Sequence, residues 1–290
     1  MVPTRDRPAS LERCLVALRA SRRAGSALEL IVVDDGSAAV AAVREVARAH
    51  GAAIVRREGR GPAAARNAGV AATARPIVMF VDDDCEPLPD WAGRMLAALA
   101  GERVVAGRTA SPAAAAAPVR AGQAITNSLL LGSLQMPGAR LGFAPSCNLA
   151  AHRETLERIG FDERFPSAAG EDRDWCERLL AAGSAIAYEP RAVVVHAPPM
   201  TTTRFLRQQL GYGRGATRYR RAGEGRGVAP TGFWRELSAA GRREGPRVAT
   251  LLAAAQLVGA AGAVAEALRA EPPRPGVEPA RRGVDDLRVE

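Results

Sequence analysis

The sequence predicts an α/β domain, a doubly wound and mostly parallel sheet flanked by helices, followed by a C-terminal helical extension. Three observations carry that expectation. Short β-branched runs alternate through the first half with segments whose apolar residues recur at helical spacing. Two of those runs stop abruptly in aspartates, as VVDDGS at 32–37 and FVDDDCEP at 80–87. The charge is also uneven: residues 1–200 hold 24 arginines against 22 acidic groups, whereas residues 201–290 hold 16 against 9.

Ser10 can cap a helix that carries Leu11, Cys14, Leu15 and Leu18 on one face. LELIVVDDGS (28–37) reads as a buried strand running into a functional loop. Residues 38–50 place Val40, Val43, Val46 and Ala47 on one helical face, and 52–58 form a second short strand. PIVMFVDDDCEP (76–87) is the most apolar strand, and VVAGR (104–108) a fourth. A first strand is expected before Pro3, yet only Met1 and Val2 precede it, so it is either clipped or continues upstream. Residues 109–141 are alanine-rich and poorly patterned, a loop or insertion with a helix from about Gln123 to Leu134. Helices are expected at 153–160 and 172–182, and one or two strands at 185–199. Residues 203–221 read as a basic helix, 248–265 as an uncharged apolar run of 18, and the proline-rich end from Glu271 as disordered. The expected division is 1–200, 201–270 and 271–290.

Composition narrows the class. At 290 residues, 47% apolar and 24% charged, the chain is not wholesale disordered. All 40 basic residues are arginine, most simply a coding bias, so the net charge of +9 does not by itself indicate nucleic-acid binding. Cys14, Cys85, Cys147 and Cys176 stand far apart with no CxxC, which argues against a disulfide framework or a structural zinc site and fits a reducing cytoplasm. No apolar leader opens the sequence.

Parallel sheets bind ligands beyond the carboxyl ends of their strands, where Asp34, Asp35, Asp82, Asp83 and Asp84 all fall. Clustered carboxylates repel and lose solvation unless a cation joins them, so FVDDDCEP is either a Mg²⁺ or Mn²⁺ site or a solvated turn. An aspartate before a glycine turn, as in VVDDGS, suits either a ribose or base contact or a helix cap. GRGPAAARNAG (59–69) offers a tight turn and then Arg66 and Asn67; its GxG is not GxGxxG, which disfavours dinucleotide binding. In EDRDWCERL (171–179), Glu171, Asp172 and Asp174 precede a helix: one can accept a proton from a hydroxyl, or all three simply favour the helix N-terminus. His196 ends the apolar AVVVH and is either structural or a metal or phosphate ligand.

Taken in order, VPTRDRP, VVDDGS, GPAAARNAG, FVDDDCEP, GFAPSCNLAAHRE, IGFDERF and GEDRDWCERL resemble the family 2 inverting glycosyltransferases of GT-A fold, over roughly residues 1–200. The resemblance implies that Pro3, Thr4, Arg5, Asp34 and Asp35 line a nucleotide pocket, with Asp35 at the base or ribose. Arg66 and Asn67 approach the diphosphate, Asp82 and Asp84 (flanking Asp83) form the DxD motif, and Asp84 is the direct ligand of a divalent Mg²⁺ or Mn²⁺. Asp172 is the catalytic base with Glu171 in support, Asn148 borders donor sugar and acceptor, and His196 is a further metal ligand. It implies a nucleoside-diphosphate sugar as donor and a saccharide, lipid-linked or small-molecule acceptor, in cell-envelope polysaccharide, glycolipid or related synthesis. RQQLGYGRG (207–215) does not match the QxxRW of processive members, which favours single-sugar transfer. The basic stretch 204–247 and the apolar run beside it suit an anionic membrane surface at the cytoplasmic face, or a solvated helix and a packed one. Two other readings stand beside this one. A sugar nucleotidyltransferase would want a glycine-rich loop with lysine, which this chain lacks, and a non-catalytic nucleotide-sugar-binding relative would not need intact DxD and ED motifs.

Overall fold

The alternation of strand and helix runs from the first residues in the computed structural model, which describes residues 1–23, 28–135, 140–165, 169–221 and 229–269. The order begins β1 (Val2–Thr4), α1 (Pro8–Arg23), β2 (Ile31–Asp35), α2 (Val40–Ala49), β3 (Ala53–Arg57), α3 (Pro62–Ala71), β4 (Ile77–Val81) and β5 (Cys85–Pro87). It continues with α4 (Trp91–Leu99), β6 (Val104–Ala110), α5 (Ala117–Gly132), β7 (Leu134–Gln135), β8 (Arg140–Leu141) and β9 (Asn148–His152). Then come α6 (Arg153–Arg158), α7 (Glu171–Ala181), β10 (Ile186–His196), α8 (Thr202–Arg221), α9 (Phe233–Glu244) and α10 (Pro246–Ala267).

Strands β1, β2 and β3 pair in parallel, as their alternation with helices requires. A second sheet runs β4-β9-β6-β10-β8-β7, with β5 beside β10. The two meet where the Met1 amino group donates to Met79 O at 2.8 Å and Val81 N to Met1 O at 3.2 Å. This second sheet is mixed rather than mostly parallel: β6 and β10 run together, but β9 lies antiparallel between β4 and β6. The sequence conceals β9 because Asn148-Leu-Ala-Ala-His carries no β-branched residue; its small side chains suit a strand buried on both faces.

Helix α5 is longer and earlier than its patterning suggests, with Pro118 in its first turn, where the missing N–H costs nothing. Leu11, Leu15 and Leu18 of α1 meet Trp91 and Met95 of α4 on one side of the sheet. On the other side Phe161 stacks on Trp175 at 5.2 Å between centroids and meets Phe80 edge-on at 5.7 Å. A third core joins Ala121 and Ile125 of α5 to Phe205, Phe233, Leu237, Val248 and Leu252, so the extension is seated on α5. Helix α9, hidden in the sequence among arginines, supplies Phe233 and Leu237 to it. Helices α8 and α10 cross so closely that a Cβ on Gly213 would strike Gly259 O and one on Gly262 would strike Leu210 O. The disordered tail expected at 271–290 lies outside the described residues.

Candidate functional site

Three consecutive aspartates sit in the turn between β4 and β5, and backbone pairing brings their partner. β5 turns at once to pair with the end of β10; the register sets His196 opposite Cys85, and Ala197 N donates to Asp84 O at 2.9 Å. His196 Nε2 stands 3.4 Å from Asp84 Oδ1, and its Nδ1 lies 3.1 Å from Gln123 Oε1 on α5. The Gln123 amide donates to Asn127 Oδ1 at 2.9 Å, which leaves its oxygen for Nδ1–H and turns Nε2 towards Asp84.

The aspartates face different ways. Asp83 points inward and is wholly buried, accepting from the Thr4 hydroxyl at 2.6 Å and pairing with Arg7 Nη2 at 2.7 Å. Asp84 accepts from Arg7 Nη1 at 2.8 Å through Oδ2. Asp82 turns the other way, to Arg66.

Arg66 is the hub of the second half of the site. Gly61, at φ 95°, and Pro62 start α3, and this helix carries Arg66 into a position where it is only 4% exposed. Its guanidinium reaches Asp82 Oδ1 at 3.1 Å, Glu171 Oε1 at 3.2 Å and Asp172 Oδ1 at 3.6 Å. Glu171 and Asp172 open α7 directly after Gly170, whose φ of 104° lets the chain enter the helix there. Asp172 Oδ2 accepts from Ser146 N at 3.2 Å, whereas Oδ1 is buried with no hydrogen-bond partner. Strand-end and helix-end carboxylates, far apart in sequence, thus share one cation and one wall.

Electrostatics follow the burial. Burial pushes the Asp83 carboxyl up to about 7 against the pull of Arg7, and it raises Asp82 against the pull of Arg66. Burial and the charge of Asp172 together lift Glu171 to about 8. At Asp84 burial also pushes upward, but the bond and charge of His196, then Arg7, win and hold it at about 2. Burial disfavours the His196 imidazolium, yet Asp84 outweighs it and raises the ring to about 9. Tyr212 of α8 is 41% exposed overall, yet desolvation at its phenol and then the charges of Glu171, Asp172, Asp84 and Asp82 push that group up.

The donor set fits a hard divalent ion. Asp84, His196 and Cys85 offer ligand atoms within 4.8 Å of one another. The Cys85 thiol is buried and soft, a poor partner for a hard ion, which leaves an oxygen and a nitrogen donor. Oxygen and imidazole ligands with an oriented second ring nitrogen suit Mg²⁺ or Mn²⁺.

Several residues expected in the site do other work. Asn148 is wholly buried: it accepts from Trp91 Nε1 at 2.8 Å and donates to Arg108 O and Ala192 O at 3.0 and 3.1 Å, so it ties three elements together and does not border the cleft. Asn67 turns to the loop after α6, donating to Phe161 O at 2.8 Å and accepting from Phe161 N at 2.9 Å. Asp34 is buried between Ser37 N and Arg56, at 2.8 and 2.6 Å. Asp35 accepts from Arg60 N at 3.0 Å and Gly61 N at 2.8 Å and so shapes the loop wall that it was expected to face. Pro3 is half-buried in β1, and exposed Arg5 lies over Gly59. Arg7, Gln123 and Tyr212 were not singled out from sequence; Arg7 stands within VPTRDRP, while Gln123 carries no local signal at all.

Comparison with known proteins shows the family and the fold. The model of glycosyl transferase family 2 matches residues 1–159. The pre-mycofactocin glycosyltransferase of Mycobacterium tuberculosis is 33% identical over 224 residues, 74% of this chain and 46% of that protein. Glycosyltransferase AglE of Haloferax volcanii is 26% identical over 227 residues, 74% of this chain and 71% of its own. The chain thus spans about half the length of the first of these relatives. Among solved structures, the mannosyltransferase PcManGT from Pyrobaculum calidifontis, in complex with GDP-Man and Mn²⁺, superposes with a TM-score of 0.59 at 22% identity, covering 91% of this chain and 74% of that one. Glucosyl-3-phosphoglycerate synthase from M. tuberculosis, with Mn²⁺, UDP and phosphoglyceric acid, gives 0.50 at 22% identity over 69% and 70%. Both likenesses concern the fold, which is that of GT-A glycosyltransferases.

Proposed function

We propose that this chain, which belongs to glycosyl transferase family 2, moves one sugar from a nucleoside-diphosphate sugar to an acceptor hydroxyl with inversion at the anomeric carbon. The observation that carries the reading is the convergence of Asp82, Glu171 and Asp172 on buried Arg66. A donor at the strand ends and a base at the start of α7 then share one cleft.

Asp172 is the base. Ser146 N fixes one of its oxygens, and Oδ1, 3.6 Å from the Arg66 guanidinium, takes the proton as the acceptor oxygen attacks. The new bond to the anomeric carbon forms on the face opposite the breaking bond to the diphosphate, and no covalent enzyme intermediate is needed. Glu171 keeps Arg66 in place, and Arg66 lends positive charge near the departing diphosphate. Asp84 and His196, with Asp82, would hold a divalent ion whose charge offsets that developing on the leaving group. The Mn²⁺ and nucleotide bound to fold relatives support this assignment of the cleft.

The same reading assigns the protein to glycoconjugate synthesis at the cytoplasmic face of an anionic membrane. Helix α10 has 22 residues and is the one helix among those described that is long and apolar enough to cross a bilayer, yet only 22% of its apolar stretch is buried. Release of nucleoside diphosphate from a panel of UDP-, GDP- and dTDP-sugars, with and without Mn²⁺, tests the activity. Turnover of at least one donor that needs the ion and is lost in Asp84→Asn is expected; release from none, or undiminished release in that variant, overturns the reading.

A further inference from the structure

Among the described residues Arg7 is the one cation that touches two of the three consecutive aspartates, and its backbone is built to keep it there. It is preceded by Asp6 at φ 55°, a left-handed conformation uncommon outside glycine. Asp6 is pinned on both sides: its N–H donates to Ser37 Oγ at 2.8 Å, and its Oδ1 accepts from Ala38 N and Ala39 N at 2.7 and 3.2 Å. Helix α1 begins immediately after Arg7. The guanidinium therefore arrives on a rigid turn, with Nη2 on Asp83 and Nη1 on Asp84 at 2.7 and 2.8 Å.

The pairing has a consequence for any second cation. Wholly buried Asp83 requires a positive partner, and Arg7 supplies it. The same guanidinium occupies one oxygen of Asp84, while the other faces His196. A divalent ion arriving alone at Asp84 would meet a fixed positive charge with no new anion to balance it. A diphosphate arriving with the ion supplies that anion.

Building on the donor-site reading above, we propose that Arg7 is a resident counter-cation of the Asp83–Asp84 pair and makes divalent-ion binding conditional on the nucleoside diphosphate. Without Arg7 the bare protein binds the ion more tightly, and the diphosphate adds less to that binding. Reciprocity requires the ion then to strengthen diphosphate binding less as well.

Mn²⁺ titration followed by the electron paramagnetic resonance of the free ion, with and without UDP or GDP, tests this on the full chain. In the unmodified protein the nucleotide tightens Mn²⁺ binding; in Arg7→Gln the Mn²⁺ affinity of the bare protein rises about tenfold and the nucleotide effect shrinks accordingly. Arg7→Lys, which keeps the charge, behaves as the unmodified protein does. Bare Arg7→Gln binding Mn²⁺ no more tightly than the unmodified protein, while Asp84→Asn loses the ion, overturns the counter-cation role and leaves the donor site standing. Mn²⁺ binding indifferent to Asp84→Asn overturns both. Should Arg7→Gln not fold, equal Mn²⁺ affinity of the unmodified protein with and without either nucleotide overturns the proposal on its own.

Discussion

The strand-end half of the molecule and its helical extension draw on the same arginine-rich composition and use it oppositely. In the first, Arg7, Arg56 and Arg66 each pair with a carboxylate that is buried or nearly so. In the second, Arg242 and Arg247 are exposed and have no carboxylate partner among the described residues. The apolar residues are inverted too: Leu257, Val264 and Leu268 are 75%, 58% and 82% exposed. Burying a charge forces a partner on it, whereas an exposed charge needs none. A buried arginine is therefore evidence about a site, and an exposed one is evidence about a surface.

The sharpest test of the first half is Asp172→Asn. The amide keeps the shape and still accepts from Ser146 N but takes no proton, so kcat falls by about 10²–10⁴-fold with the donor KM little changed. Circular dichroism should be that of the unmodified protein. A variant with normal kcat would leave the helix-end carboxylates as mere capping groups and remove the asymmetry between the regions.

Stability separates the two kinds of arginine directly. Arg66→Ala strands three carboxylates around an unfilled buried position, and denaturant unfolding should show a loss of about 3–5 kcal/mol. Arg242 is exposed and pairs with no carboxylate among the described residues, so Arg242→Ala should stay within about 0.5 kcal/mol. Equal losses would mean that burial does not decide what an arginine does here.

Much of this was legible in the sequence, and the limits have physical causes. The ends of β2 and β4 announce themselves because a β-branched run that stops in aspartates is a poor continuation of any strand. Glu171 and Asp172 are visible as the start of a helix. What cannot be read is which distant groups meet. His196 reaches Asp84 through the register of β5 on β10, and Gln123 reaches His196 through the placement of α5; neither leaves a local pattern. The burial of Asn148 is hidden for a related reason. The residue stands at the start of an alanine-rich strand that looks like loop, so its place inside the sheet was hidden.

The extension has its own test of integrity, smaller in effect. Gly213 lies where α8 and α10 touch backbone to backbone. A Gly213→Ala substitution must push the helices apart, with an overpacking cost of about 1–3 kcal/mol. Gly93 meets nothing within 4 Å, so Gly93→Ala on α4 is the matched control. Its melting temperature should not fall, because alanine is the better helix former.

The weakest expected effect concerns what the exposed face of α10 is for. Ala253, Leu257, Ala260, Ala261 and Val264 form an uncharged exposed stripe on that helix. Trp234 and Arg242 line a groove that Ala253 also lines, so an aromatic ring and an unpaired cation flank one end of the stripe. A bilayer with anionic headgroups matches both parts, since acyl chains take the stripe and lipid phosphates or carboxylates take Arg242. Sedimentation with vesicles containing phosphatidylserine should carry the protein down more than with phosphatidylcholine alone. Arg242→Ser should weaken that binding about fivefold, the value of one basic residue near a charged surface. Leu257→Glu should weaken it further on both vesicle types, because a carboxylate cannot enter the acyl boundary. If Leu257→Glu instead converts a dimer to a monomer in light scattering and leaves vesicle binding untouched, a second copy of the chain covers the stripe. The contrast between a paired interior and an open surface would then describe two protein interfaces, one within the chain and one between copies.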